Sequence, residues 1–160
     1  MLYSLGSVNM NTRIQVRIPA TSANMGPGFD CLGMALDIWN TLHLEPGGPG
    51  IEISGEGSDL LPNDSSNMVH DAVSRIYLEL GRSVPSFRIV CHNEIPLARG
   101  LGSSSAALVG GLVAGNAACG NPLSQSELLD IAVDIEGHTD NVAPALMGGC
   151  QIAVLDNGRI

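Results

Sequence analysis

The chain has 160 residues, of which 44% are apolar and 14% charged, and it carries a formal net charge of −9. This composition is too hydrophobic for a disordered chain, and 20 glycines and 9 prolines interrupt it too often for a membrane span. Since the only Lys or Arg side chains are seven scattered arginines, no basic face for a phosphate backbone is expected. We expect one soluble globular domain that binds neither nucleic acid nor membrane.

No lysine occurs in the sequence, and this absence excludes two common phosphate sites. The Walker A loop and the protein-kinase fold both use a lysine to reach the phosphates of a nucleotide. Cys31, Cys91, Cys119 and Cys150 are widely spaced and include no C-x-x-C pair, so we predict reduced core residues. Residues 1–12 lack the apolar segment of a secretory signal and are predicted to form a disordered tail.

The first third of the chain reads as strands. Apolar residues alternate over 14–18, where Pro19 is expected to end a strand, and residues 21–33 are rich in turn formers. Alternation returns from Leu36 to Leu44, a Gly-Pro turn follows, and residues 51–55 form another strand. We predict that these strands pair in antiparallel fashion.

The rest of the chain predicts three helices and two further strands. Apolar residues recur every four positions from Met68 to Leu80, with Ser66 or Asn67 as cap, and residues 86–93 follow as a strand. Residues 103–119 hold no charge and predict a helix buried nearly all round. A third helix starts at a capping box formed by Ser124 and Glu127; its expected buried face consists of Leu128, Ile131, Ala132 and Ile135.

A loop with a helical turn is expected over residues 137–149, followed by a strand over 150–156. Asn-Gly at 157–158 is a strong hairpin signal, but only two residues come after it. Because two residues cannot form the second strand, we expect that about half of a larger protein is missing.

The stretch PLARGLGSSSAA at residues 96–107 joins flexible glycines to the predicted start of a buried helix. Gly100 and Gly102 let the backbone approach a ligand, and the unpaired N–H groups of a helix N-terminus attract anions. The same residues are also typical of a buried helix that is simply capped. Ser105 stands where a Rossmann motif needs glycine, and Ala106 and Ala107 follow where a G-x-S-x-G hydrolase elbow needs one.

The spacing Pro-x-x-x-Gly-Leu-Gly-Ser-Ser from Pro96 to Ser104 resembles the phosphate-binding motif of the GHMP small-molecule kinases. Residues 16–36 and 135–149 are similar to two further segments of the members that phosphorylate L-homoserine. The resemblance implies an α+β fold, with a two-layer, mostly antiparallel sheet and packed helices, as in certain ribosomal proteins. It also implies that residues 13–160 are a truncated N-terminal ATP-binding domain.

The resemblance further implies the site residues and the cofactors ATP and Mg²⁺. Ser104 and Glu136 are implied as metal ligands, and Asn24, Asp30, His138 and Asn141 as the groups that bind homoserine. Asp140, Asn141 and Glu136 are implied as catalytic residues; Asp140 would accept the hydroxyl proton, or Asn141 would orient the hydroxyl without a base, and we favour positioning. The nucleotide-binding residues implied are Pro96, Leu97, Ala98, Arg99, Gly100, Leu101, Gly102, Ser103, Ser104, Ser105 and Ala106.

A few positions depart from the family pattern or admit a simpler explanation. Ser105 stands where the motif usually has alanine, and Thr139 where proline is frequent; both are small, so little effect is expected. Arg99 either neutralises phosphate or faces solvent. Asn67 and Val69 resemble residues near adenine, although helix capping explains Asn67 as well.

The resemblance implies that the missing half supplies a third glycine-rich motif and arginines for the substrate carboxylate. The isolated chain is therefore expected to have little or no kinase activity. The activity of the complete protein is expected to belong to threonine synthesis. A homodimer in the cytoplasm, or in plastids of a photosynthetic eukaryote, is the expected setting.

Three other functions remain open at this point. A metal-dependent phosphohydrolase would use His70 with Asp71 and His138 with Asp140. A non-catalytic nucleotide- or amino-acid-binding module would use the same loop. A GHMP kinase for mevalonate or shikimate would leave Asp30 without a cationic partner.

Overall fold

The computed structural model describes residues 13–154. The predicted tail at 1–12 and the predicted hairpin at 157–158 lie outside these residues. Nine elements follow in order: β1 (Ile14–Ala23), β2 (Leu32–Pro46), β3 (Gly50–Gly55), α1 (Met68–Glu79), β4 (Phe87–Asn93), α2 (Ser103–Ala118), α3 (Gln125–Glu136), α4 (Val142–Met147) and β5 (Cys150–Ile152).

The strands form one mixed sheet in the order β1-β2-β4-β3, with β5 paired to β2. Within residues 13–154, three strand pairs are antiparallel and only β3–β4 is parallel, so the predicted α+β fold with a mostly antiparallel sheet is confirmed. The antiparallel pairing expected for β3 is wrong, because β4 occupies the edge of β2 over Thr41–Pro46. There β3 sets Ile51 beside Ile89 and Ile53 beside Cys91, which extends the apolar layer.

Strand β1 extends to Ala23, past Pro19, where the strand was expected to end. Pairing between β1 and β2 shifts register between Pro19 and Ala20, a bulge at a residue that has no N–H to donate. Beyond the bulge the ladder continues until Ala23 pairs with Gly33. This extension carries Thr21, which is fully buried, to the edge of the site described below.

The core lies between one face of the sheet and α2, which is buried nearly all round as predicted. Val16, Ile18, Leu42 and Leu44 point from β1 and β2 into this layer. A Cβ added at Gly110 would lie 2.6 Å from Ile18 of the sheet, so the absence of side chains lets α2 approach closely. Gly111 and Gly115 likewise have no side chain where α2 packs against α1, and an added Cβ at either position would crowd α1.

Several local expectations need correction. Ile135 is 43% exposed, because α3 packs along a stripe that contains Leu129 and Val133 instead. Met68 is exposed at the first turn of α1. Residues 142–147 form the short helix α4 rather than a loop with one turn.

The cysteines are all free thiols, but they are not all core residues. Cys91 is buried, Cys31 and Cys119 are half-buried, and Cys150 is exposed on the three-residue strand β5. Among residues 13–154, no helix combines the length and the apolar character needed to cross a bilayer.

Candidate active site

The N-terminus of α2 opens without a side-chain cap. Its N-cap is Gly102, in the left-handed region at φ 64°, and no side chain of the described residues caps the helix there. The first intrahelical bond runs from Ala106 to the Gly102 carbonyl, so the N–H groups of the preceding turn remain open to a ligand. A Cβ on Gly102 would lie 1.9 Å from Thr21 Oγ1, and this position therefore requires glycine.

A cavity of about 830 Å³ lies in front of this helix mouth. Every residue from Pro96 to Ala106, the whole predicted nucleotide segment, lines it. Besides Ser104 within that segment, four more residues predicted for the substrate or the metal line the same cavity: Asn24, Glu136, His138 and Asn141. The structure thus brings together three segments that are far apart in the sequence.

Glu136 ends α3 and reaches the first turn of α2. Ser105 Oγ donates a hydrogen bond to Glu136 Oε1 at 2.8 Å, and Ser105 itself is 1% exposed. Ser104, the serine implied as metal ligand, is exposed and lines the cavity beside it. Ser105, which stands where the family motif usually has alanine, is therefore the residue that holds the Glu136 carboxylate.

Asp140, itself buried, is the centre of a hydrogen-bond cluster whose other members are partly or fully exposed. Its Oδ2 accepts from Asn24 Nδ2 at 2.8 Å, and its Oδ1 accepts from Asn141 Nδ2 at 3.3 Å. His138 Nδ1 lies 2.9 Å from the same Oδ1, an ion-pair contact when the imidazole is protonated. Asp140 is 2% exposed and is not among the residues that line the cavity.

Backbone geometry brings the Asp140 segment close to β2. A Cβ on Gly33 would lie 1.7 Å from the Asp140 carbonyl oxygen, so a glycine in β2 is what allows the two chains to meet. Thr139, which stands where the family motif often has proline, shares its single hydroxyl proton between the carbonyls of Ala153 at 2.8 Å and Asp30 at 3.1 Å. Its hydroxyl therefore fastens the segment to its neighbours.

The turn between β1 and β2 places Asn24, but not Asp30, at the cavity wall. Both have positive φ, 58° and 57°, and the Asp30 N–H donates to Asn24 Oδ1 at 2.9 Å. Asn24 thereby bridges the turn and Asp140. Asp30 is exposed and does not line the cavity, so only Asn24 of this predicted pair does.

Thr21 is the site residue that sequence reasoning missed. Its Oγ1 donates to Asn141 Oδ1 at 2.7 Å, and its backbone N–H donates to the Leu101 carbonyl of the glycine loop at 3.0 Å. The resemblance covers Thr21 within residues 16–36 but implies no role for it, and the residues around it are typical of a turn that follows a proline. Its position depends on the bulge between Pro19 and Ala20.

The cavity is also lined by Asn67, Val69 and Cys91. Asn67 caps α1 by accepting from the Val69 N–H at 2.9 Å and donates to the Pro62 carbonyl at 2.7 Å, so capping accounts for its side chain. Burial raises the pKa of the Cys91 thiol to about 11, which keeps it protonated at neutral pH.

The two His–Asp pairs predicted as metal candidates do not form a larger cluster. His70 Nδ1 is 3.9 Å from Asp71, and the His70 ring packs against Phe87 with centroids 5.2 Å apart. Within residues 13–154 no group of three or more His, Cys, Asp or Glu side chains is arranged to hold a metal ion.

Comparison with known proteins identifies the class. The model of the GHMP kinases N terminal domain matches residues 67–149, more than half of the chain. The chain belongs to the GHMP kinase family, and the part it represents is the N-terminal one.

The particular relatives are homoserine kinases. That of Carboxydothermus hydrogenoformans is 50% identical over 147 residues, which cover 91% of this chain and 48% of the relative. That of Synechocystis is 48% identical over 144 residues, 87% of this chain and 47% of the relative. The crystal structure of homoserine kinase from Cytophaga hutchinsonii superposes with a TM-score of 0.76 at 34% identity, covering 92% of this chain and 50% of that one. The chain spans about half the length of these relatives.

Proposed function

We propose that this chain is the nucleotide- and substrate-binding part of a kinase that transfers the γ-phosphoryl group of ATP to the side-chain hydroxyl of L-homoserine. The observation that carries the proposal is that the glycine loop and Asn141 line one cavity. A phosphate cradle and an amide suited to direct a hydroxyl therefore face the same space. The identity of 50% to a homoserine kinase supports the choice of substrate.

The proposed nucleotide site is built from backbone rather than from a lysine. Residues Pro96–Ala106 surround the open N-terminus of α2, where N–H groups and the helix dipole favour negative charge. The sequence contains no lysine, so this arrangement takes over the charge neutralisation that a Walker A lysine provides elsewhere. Arg99 is exposed on this loop and is the positively charged residue nearest to the N-terminus of α2 in the sequence.

The donors beside the cradle fit Mg²⁺. Ser104 and Glu136 line the cavity and offer hydroxyl and carboxylate oxygens, the hard donors that this ion prefers. We assign these two residues as its ligands, with Ser105 holding the carboxylate in place at 2.8 Å. A magnesium ion bound there would neutralise charge on the β- and γ-phosphates.

The proposed homoserine site is the cluster around Asp140. Asn24, His138 and Asn141 line the cavity. Asp30 lies on the adjoining turn, outside the lining, and we assign its exposed carboxylate to the substrate ammonium group. Mevalonate and shikimate have no such ammonium group, which is why an amino alcohol suits this site better. We propose that the second half of the protein supplies groups for the substrate carboxylate, so the isolated chain turns over weakly.

We assign Asp140 a positioning role rather than that of a general base. Its carboxylate accepts from Asn24 and Asn141, faces His138 at 2.9 Å, and is 2% exposed. A base must reach the proton that it removes, whereas these contacts use the carboxylate to fix its neighbours. Phosphoryl transfer with a loose transition state depends mainly on positioning and charge neutralisation, so it tolerates the lack of a base.

Calorimetry on the 160-residue chain tests binding. MgATP is titrated first and L-homoserine second, with L-2-aminobutyrate, which lacks the hydroxyl, as the matched ligand control. We expect heat from MgATP that weakens without magnesium or with Glu136→Gln, and tighter binding of homoserine than of aminobutyrate. Absence of ATP binding would overturn the proposal.

Turnover is tested on a chimera in which the C-terminal half of the Carboxydothermus homoserine kinase completes the chain. Mass spectrometry should detect O-phospho-L-homoserine together with ADP. Binding without any turnover in the completed protein would favour a non-catalytic binding module. Release of free phosphate without homoserine would favour the phosphohydrolase.

We place the complete protein in threonine synthesis, in the cytoplasm or in a plastid, as a homodimer. Family membership supports these assignments. Light scattering on the chimera measures the assembly directly, and a monomeric mass would contradict the dimer.

A further inference from the structure

We propose that Thr21 is a positioning residue that makes Asn141 present its N–H, and not its oxygen, to the substrate hydroxyl. This inference rests on the proposed function and assigns a role to Thr21, which lies within the family-like segment 16–36 but was given no role by the resemblance. Its basis is the hydrogen bonding of one amide group.

The orientation of the Asn141 amide follows from its neighbours. The Asp140 carboxylate can only accept, so the group 3.3 Å from its Oδ1 is the nitrogen Nδ2 of Asn141. The amide oxygen then faces Thr21 Oγ1 at 2.7 Å. Since an amide oxygen has no proton, the Thr21 hydroxyl is the donor of this bond.

The amide oxygen of Asn141 is in contact with Thr21 and lies close to Gly102. Thr21 is 0% exposed, so water does not compete for its hydroxyl. A Cβ on Gly102 would lie 3.1 Å from Asn141 Oδ1, which shows that the α2 N-cap stands close to the same oxygen. The second hydrogen of Nδ2 remains available for a ligand, while the oxygen is committed to the protein.

This arrangement decides the direction of one contact with the substrate. The homoserine hydroxyl oxygen accepts a hydrogen bond from Asn141, and its own proton points away from that side chain. Asn141 consequently cannot take the proton during transfer. Its contribution is to aim a lone pair of the hydroxyl oxygen at the γ-phosphorus.

Thr21 also links this amide to the phosphate cradle. Its backbone N–H donates to the Leu101 carbonyl at 3.0 Å, one residue before the α2 N-cap. One residue of β1 therefore sets the position of both the glycine loop and the amide. Because the reacting atoms must meet at about 3–3.5 Å, such a shared support matters for rate.

The test compares Thr21→Val with Thr21→Ser. Valine keeps the shape and the backbone bond to Leu101 but removes the hydroxyl, whereas serine keeps the hydroxyl. In the chimera we expect valine to lower kcat about tenfold or more, with the KM for homoserine changed less than about threefold. Serine should retain kcat within about threefold of the wild type. Equal rates for valine and wild type, or equal losses for valine and serine, would overturn the inference.

A spectroscopic readout needs no folded variant. In the wild-type 160-residue chain, the Thr21 hydroxyl proton is donated inside the protein and should exchange slowly enough with water to give its own NMR signal. A fast-exchanging hydroxyl would contradict the bond. Failure of the wild-type chain to bind ATP would refute the proposed function, whereas normal binding and turnover without dependence on the Thr21 hydroxyl would refute only this inference.

Discussion

The glycine loop and the Asp140 cluster line or border the same cavity, yet they are built in opposite ways. The loop is one continuous segment, and the groups that we propose as ligand contacts are backbone N–H donors at the start of α2. The cluster joins side chains from β1, the following turn and the α3–α4 connection, and Asn24 stands 116 positions from its partner Asp140. One region is specified by local sequence and the other by the tertiary fold.

This difference predicts different sensitivities. A backbone site tolerates changes of side chain but not a change of backbone conformation, so its glycines are critical. A side-chain cluster tolerates small backbone shifts but depends on single atoms, since each donor must meet an acceptor. Substitutions of one atom or one methyl group separate the two regions.

Gly102→Ala should have the largest effect. The new methyl group would meet Thr21 Oγ1 at 1.9 Å in a residue with φ 64°, so strain and overlap add. We expect a loss of about 2–5 kcal/mol in the free energy of unfolding, measured in urea, together with loss of ATP binding.

Gly100→Ala is the matched control for that variant. Gly100 has nearly the same φ, 69°, but nothing lies within 4 Å of an added Cβ. Only the conformational cost of about 1–2 kcal/mol should appear. Equal losses of stability at the two positions would show that Gly102 is not held against Thr21.

Asp140→Asn should have the next largest effect. The substitution replaces one acceptor oxygen by an NH₂ group, which then faces the donor of Asn24 or of Asn141 at a buried position. A mismatch of this kind costs about 1–3 kcal/mol, and we expect homoserine affinity to fall about ten- to a hundredfold while MgATP affinity stays within about threefold.

The same chemical change on the surface provides its control. Asp134 on α3 has a side chain that is 67% exposed and pairs with Arg75 at 3.2 Å. Asp134→Asn should alter stability by less than about 1 kcal/mol and leave calorimetric binding of homoserine unchanged. If both variants bound homoserine like the wild type, the Asp140 cluster would have no role in binding it.

Ser124→Ala, outside both regions, sets the baseline. Ser124 and Glu127 form the capping box of α3, and its loss should lower stability by about 1 kcal/mol without changing ATP or homoserine binding. Ser126→Ala, in the same first turn but outside the box, should be neutral or slightly stabilising.

The cost of Ser124→Ala should also depend on pH. Hydrogen bonds from Ser124 hold the pKa of the Glu127 carboxyl below its ordinary value of 4.5. A depressed folded-state pKa contributes stability that is complete above the unfolded-state pKa and is lost as pH falls through the folded value. The difference in Tm between variant and wild type should therefore be largest above pH 5 and narrow below pH 4.5; a constant difference would contradict the box.

Local patterns predicted much of the fold. The capping box at Ser124, the start of α1 after Asn67 and the uncharged helix α2 were recovered because each depends on residues within a few positions of one another. The errors came where distant partners decide: β4 inserts beside β2, the buried stripe of α3 excludes Ile135, and β1 runs past Pro19.

The candidate site shows the same division. Whole motifs could be recognised, and the residues they implied largely meet in one cavity, with Asp30 and Asp140 outside its lining. The sequence could not show which role each of these residues has in the cavity. That Ser105 holds Glu136, and that Asp140 turns its carboxylate to neighbours rather than to a ligand, follows from distances of 2.8–3.3 Å that no spacing encodes.

The sequence alone determined that a lysine-free glycine loop precedes a buried helix, because φ freedom and helix termini are properties of adjacent residues. Only the tertiary structure decided that Thr21 stands between that loop and Asn141, 120 positions away. The reason is physical: a hydrogen bond forms or fails over a few tenths of an ångström, and such placement is set by the packing of the whole sheet against α2.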